Sequence, residues 1–270
     1  MKTIAALAFA AVYFAVTPLV SRAEDAPAFA RWKEFSEKAK SMEGLLVYYT
    51  FEETDGAKKV VNRAAGTGIK GFKAKNSDAE IEGGAKVSRK QGRWSGKGSI
   101  YFDGESFLTA PDALFTQEMG KDKMPITVQY WCYVEEGDGG ITGSIFSFGN
   151  DGNQRCSCHN PWQGNIYWDH GNIGTAGRIS TSYADYYDKW HLVTLVSEGR
   201  GGAFKAIYFD GEEVISDGSS DGPEIDLEGL TVGTWAAAGT PQIAKMDEFM
   251  IFARVLTEKE IREFYKQGKP

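Results

Sequence analysis

From Leu45 onward the chain alternates between short apolar runs and turns rich in Gly, Asp, Asn and Ser. The runs are LLVYYTFE, GSIYFD, SFLTA, ITVQYWCYVE, SIFSFG, QRCSCH, NIYWDH, WHLVTLVSE, FKAIYFD, LTVGTW and DEFMIFARVL. Segments of this length, β-branched and aromatic in content and bounded by turn formers, predict an antiparallel sandwich or jelly roll. The stretch from Asp55 to Gly98 is the least patterned and predicts loops and short strands. Helices frame the strands. In APAFARWKEFSEKAKSMEG, Phe29, Trp32, Phe35, Ala39 and Met42 recur at three and four, giving one helical face to pack on the sandwich. At the other end Thr257 and Glu260 form a capping box, Leu256 and Ile261 suit a hydrophobic staple, and Gly268 is placed to stop the helix. The predicted fold class is all-β: a two-sheet antiparallel jelly-roll sandwich with a short N-terminal helix and a short C-terminal helix.

The hexamer IYFDGE occurs twice, at Ile100 to Glu105 and at Ile207 to Glu212, and its flanks share nothing. This argues against a duplicated domain and leaves a shared local need: a strand end followed by a turn whose Asp-Gly supplies positive φ.

Residues 1–23 read as a secretory signal peptide, with Lys2, an apolar run from Ile4 to Val16 too short to span a bilayer, and Ser21-Arg22-Ala23 as a cleavage site. The expected order is a leader over 1–23, a helical lead-in over 24–43 and one β domain over 44–270. The mature protein is then secreted, extracellular or periplasmic, with no later membrane span. Loss of Lys2 and Arg22 takes the formal charge from −7 to −7 − 2 = −9, and an acidic surface argues against a nucleic-acid partner.

Export also bears on the three cysteines, Cys132, Cys156 and Cys158. The last two are too close in sequence to bridge each other without strain, so a disulfide is expected from Cys132 to Cys156 or Cys158. Alternation in ITVQYWCYV puts Ile126, Val128, Tyr130 and Cys132 on a core face and Gln129, Trp131 and Tyr133 on the other. With that bridge, His159 is expected on the face that carries Trp131 and Tyr133.

The segment richest in chemistry is CSCHNPWQGNIYWDHGN. Flat rings stack on the C–H faces of sugars while Asp, His and Arg bond hydroxyls, so His159, Trp162, Tyr167, Trp168, Asp169 and Arg178 form a candidate glycan site. Trp162, in a turn-like Asn-Pro-Trp-Gln-Gly, is the ring expected to be most exposed. Cys156, Cys158, His159 and His170 are metal-ligand types, but their spacing matches no closed zinc framework.

In order along the chain, GLLVYYTFEETDG, GKGSIYFDGESFLTAPD, PITVQYWCYVE, KWHLVTLVSEG, FKAIYFDGEEV, LTVGTW and MDEFMIFARVLTEKEIREFY resemble laminin-G-like domains of the concanavalin A-like jelly-roll superfamily, over roughly residues 44 to 267. That superfamily includes sugar binders, adhesion modules and glycosidases. The resemblance implies a non-catalytic carbohydrate-binding or adhesion module whose partner is a glycan or extracellular polysaccharide. It also implies calcium as the cofactor, with Asp103 of the Phe-Asp-Gly motif and Asp247 of Met-Asp-Glu as metal ligands. Separately, PEIDLEG is similar to the Glu-Ile-Asp-x-Glu signature of lichenase-like β-glucanases. That alternative makes Glu224 the nucleophile, Glu228 the acid/base and Asp226 their tuning neighbour. A third reading is a structural or interaction domain without a sugar ligand.

Overall fold

The computed structural model describes residues 25–270 apart from 66–72, 84–85, 89–91, 122–123, 139–142, 151, 200–201, 203, 219–228 and 236–239. The expected leader, residues 1–23, lies outside the described residues. Helix α1 (Asp25–Ala39) comes first, then β1 (Leu45–Tyr49), β2 (Lys59–Val60), β3 (Ala79–Glu82), β4 (Lys86–Ser88), β5 (Ser99–Asp103) and β6 (Phe107–Ala110). Helix α2 (Phe115–Lys121) leads into β7 (Ile126–Tyr133), β8 (Ser144–Asn150), β9 (Gln154–Trp162) and β10 (Asn165–Asn172). Next are β11 (Arg178–Ser182), β12 (Trp190–Ser197), β13 (Lys205–Phe209) and β14 (Glu212–Asp217). The chain closes with β15 (Leu230–Val232), β16 (Thr234–Trp235), β17 (Thr240–Pro241), β18 (Ile243–Phe252) and α3 (Glu258–Gly268).

The strands make two antiparallel sheets in a jelly-roll-like sandwich. The first runs β14-β13-β12-β7-β18-β5-β4, with β1 also on β18; the second runs β11-β10-β9-β8-β15-β6-β3-β2. Period-two alternation fills the space between them. Val128, Tyr130, Val193, Leu195 and Ile251 from the first sheet meet Leu108, Phe146, Phe148, Trp168 and Val232 from the second in one buried cluster. Burying each such large side chain contributes on the order of 1.5–3 kcal/mol.

The outer faces of the two sheets differ. On the first sheet the residues between the core positions are again apolar: Trp131, Leu192, Tyr208, Met250 and Phe252. That face has to be covered, and α1 and α3 cover it through Ala39, Ile261 and Phe264. The Thr257 and Glu260 capping box forms as expected. Arg254, with the Thr257 cap, holds the Glu260 carboxyl down at about 2. Gly268 serves another purpose than the expected stop signal. It ends α3 without positive φ, and a Cβ there would come within 2.7 Å of Arg93 Nη1. Its lack of a side chain admits the guanidinium.

That guanidinium belongs to a buried charge network at a break in the edge of β18. β5 pairs with Ile243 to Met246, and β1 with Phe249 to Phe252, leaving a bulge at Asp247 and Glu248, where Glu248 has φ 62°. Arg93 Nε donates to Asp247 at 2.8 Å, its Nη2 to Glu248 at 2.5 Å and its Nη1 to the Gly268 carbonyl. Lys97 Nζ sits 2.5 Å from Asp247 and donates to the Thr50 carbonyl at 2.8 Å. Trp32 of α1 donates to Glu248 at 2.8 Å, and Tyr48 bonds the same carboxylate. One pair of carboxylates thus fastens α1, α3 and the loop before β5 to the sheet.

Both copies of IYFDGE close strands in the first sheet, β5 and β13, and run into turns where Gly104 and Gly211 have φ 88° and 89°. The expected disulfide is not formed: Cys132, Cys156 and Cys158 are buried free thiols. Alternation did place all three inward, Cys132 on the first sheet and Cys156 and Cys158 on the second. Polar side chains occupy the gap. Cys132 Sγ meets the Tyr183 hydroxyl at 3.6 Å and Asn160 at 3.4 Å, and Cys158 meets the Tyr130 hydroxyl at 3.5 Å. Burial pushes the Cys132 thiol up to about 12 and the other two well above their ordinary value.

Candidate functional site

The outer face of the second sheet is polar. Register places one residue from each strand in a single row: Arg178, Asp169, Ser157, Ser147, Thr231, Thr109, Glu80 and Lys59, from β11 across to β2. Their neighbours along each strand, among them Cys156, Phe146, Leu108 and Val232, point into the core. At about 4.8 Å per strand the row spans about 34 Å.

Aromatic rings gather at the β9-β10 end. The turn joining these strands is Gln163-Gly164, both at positive φ (50° and 76°), as a tight two-residue hairpin turn requires. A register shift beside it brings Trp162 onto the face of His159 and Tyr167. The Trp162 ring lies 5.4 Å from both the His159 and Tyr167 rings, and Trp235 of β16 meets His159 edge-on at 5.9 Å. Trp162, Tyr167 and Trp235 are all partly exposed. His159 bonds Ser144 Oγ at 3.3 Å, and burial lowers its pKa, so the ring is neutral at pH 7.

Beside the rings, Asp169 is fully buried and holds two guanidiniums. Arg178 clamps it with Nε and Nη2 at 2.6 Å each, and Arg155 Nη1 lies 3.5 Å away. Arg178 lies over Tyr167 (4.9 Å) and Arg155 over Trp235 (4.5 Å). Ser157 and Ser147, next in the row, are buried, and their hydroxyls have no hydrogen-bond partner among the described residues.

The structure therefore brings together His159, Trp162, Tyr167, Asp169 and Arg178. It removes Trp168, whose ring is buried between the sheets, donates to the Val196 carbonyl at 3.0 Å and stacks on His170. It also corrects the expected face of His159. Because Cys132 and Cys158 lie on different sheets, His159 and Trp131 are on opposite sides of the sandwich. Arg155 and Trp235 escaped the sequence reading. Arg155 shares the parity of Ser157 and His159 in QRCSCH, a signal that could have found it; Trp235 reaches the site through a strand distant in sequence.

Asp103 and Asp247 do not converge. Asp103 pairs across from Ile243, four residues and about 13 Å from Asp247 along β18. The Ser106 hydroxyl and the amides of Glu105 and Ser106 hold the Asp103 carboxyl below the usual range, while Asp247 is taken by Arg93 and Lys97. Among the described residues no three His, Cys, Asp or Glu side chains are grouped to hold a metal ion. Glu224, Asp226 and Glu228 lie outside the described residues. No described helix is long and apolar enough to cross a membrane.

A family model, Laminin_G_3 of the concanavalin A-like lectin/glucanases superfamily, matches residues 102–262. In structure the chain is similar to the receptor-binding domain of the botulinum neurotoxin C/D mosaic serotype (TM-score 0.58, 15% identity, 83% of this chain and 51% of that one). It is similar also to the receptor-binding domain of botulinum neurotoxin D (0.58, 15%, 83% and 52%). A third likeness is to the binding domain of Paraclostridial Mosquitocidal Protein 1 (0.58, 15%, 84% and 55%). At such identity the likeness is one of fold, and the chain spans about half the length of these domains. No curated protein matches the sequence.

Proposed function

The chain belongs to the laminin-G-like family of the concanavalin A-like lectin/glucanase superfamily, and from that premise we propose that it is an exported, non-catalytic carbohydrate-binding module. The supporting observation is the contrast between outer faces. One is apolar and covered by α1 and α3; the other carries a polar row ending in partly exposed rings. A face that needed only to shed water would not gather three partly exposed rings, tilted or edge-on around His159, beside two guanidiniums. Sugar hydroxyls suit the partly exposed guanidinium donors, and sugar C–H faces suit the rings.

Trp162 provides the test. Trp162→Ala should lower affinity for the best ligand of a glycan array by about tenfold or more. The ring is at a hairpin end, so the melting temperature should stay within about 4 °C of the parent. Unchanged binding by this variant would place the ligand elsewhere.

A further inference from the structure

We propose that the glycan bound at this face is anionic, with a carboxylate or sulfate of the sugar seated at the Arg155-Asp169-Arg178 cluster. The inference rests on the carbohydrate reading above and narrows its ligand class. Two guanidiniums share one carboxylate, so among the described residues the cluster carries one uncompensated positive charge. Among the described residues, neighbouring groups do not cancel it. His159 is neutral, and the next charges in the row, Glu80 and Lys59, pair with each other at 2.6 Å. Glu80 is five strands and Lys59 six strands from Asp169, about 24 Å and about 29 Å, well beyond a Debye length of about 8 Å at physiological salt.

The donors left over are of the right kind. Arg178 spends Nε and Nη2 on Asp169, and Arg155 spends Nε on the Gly152 carbonyl and Nη1 on Asp169. This leaves Arg178 Nη1 and Arg155 Nη2 without partners among the described residues. The two side chains are 24% and 13% exposed, enough for a ligand to reach. Their planes are held by Asp169 on one side and by the Tyr167 and Trp235 rings on the other, so little rotamer entropy remains to be lost on binding. A neutral sugar needs acceptors as well as donors. Asp169, the carboxylate here, is fully buried and already accepts three guanidinium N–H bonds, so the cluster offers donors, and charge-assisted bonds from guanidinium to an oxyanion are the strong use of them.

The test measures binding of the whole chain to polygalacturonate, to its methyl ester, to dextran sulfate and to a neutral β-glucan. Polygalacturonate or dextran sulfate should bind at least about tenfold more tightly than the neutral polymers. Whichever does so identifies carboxylate or sulfate as the source of the charge. Arg155→Gln should remove most of that preference, and Arg178→Lys, which keeps the charge but loses the fork, should remove part of it even if the first variant folds poorly. Tighter or equal binding of the methyl ester and β-glucan, with loss on Trp162→Ala, would overturn the anionic assignment while leaving the carbohydrate module intact. Binding to none of the four, or polyanion binding unaffected by both arginine variants, would also overturn it; failure across a full glycan array would reject the module as well.

Discussion

Replacing Arg93 with alanine is expected to destabilise the protein by about 3–5 kcal/mol, the cost of leaving buried carboxylates without their cation. Asp247 and Glu248 are both inside the structure, and Arg93 bonds both as well as the carbonyl of Gly268. Lys97 also meets Asp247, but for Glu248 only the neutral donors Trp32 and Tyr48 would remain. The loss would reach past the pair itself. Trp32 anchors α1 on Glu248, and α1 with α3 covers the apolar face formed by Trp131, Leu192 and Met250. Denaturant unfolding of the variant should show the fall in midpoint, together with faster amide exchange in α1. A change below about 1 kcal/mol would mean that Lys97 and the hydrogen-bond donors suffice to hold both carboxylates.

Stability should also fall by about 2 kcal/mol between pH 6.5 and pH 5 because of His170 alone. The ring is buried against Trp168 and bonded to Ser197 at 2.7 Å; burial first, then the nearby Lys205, pushes its pKa down to about 3. The unfolded chain takes up a proton there as the pH drops through the ordinary value near 6.5. The folded chain does not do so until about 3. The unfolded state therefore binds more protons throughout that window. The contribution is complete above pH 6.5 and is lost as acidity rises. His159, also lowered by burial, acts in the same direction. Unfolding measured at both pH values should show His170→Gln losing most of this difference, and a variant with the parent's pH dependence would contradict the assignment.

What alternation along single strands could disclose, it disclosed. ITVQYWCYV sorts correctly into core residues and a second face, and that second face proves to be buried by the two helices whose apolar stripes the sequence also shows. What depended on pairing between distant strands was not legible. The polar row exists because β8 pairs with β15, β15 with β6 and β6 with β3, an order that no local pattern encodes. The disulfide expectation failed for the same reason, since inward parity says nothing about which side chains come to lie against each thiol, here Tyr130, Asn160 and Tyr183. Trp168 was misplaced because a Trp inside a strand is equally compatible with the core and with a site until its neighbours are known. Arg93 and Asp247 are 154 residues apart, and the bulge that joins them has no composition cue.

The central claim is that the outer face of the second sheet, at its β9-β10 end, holds the ligand. Hydrogen exchange with and without the tightest-binding glycan tests it most directly. The account predicts slowed exchange in β9, β10 and β11, residues 154–182, with α1 and α3 unchanged. Protection confined to the helices, or to a peptide containing Glu224 and Glu228, would contradict it.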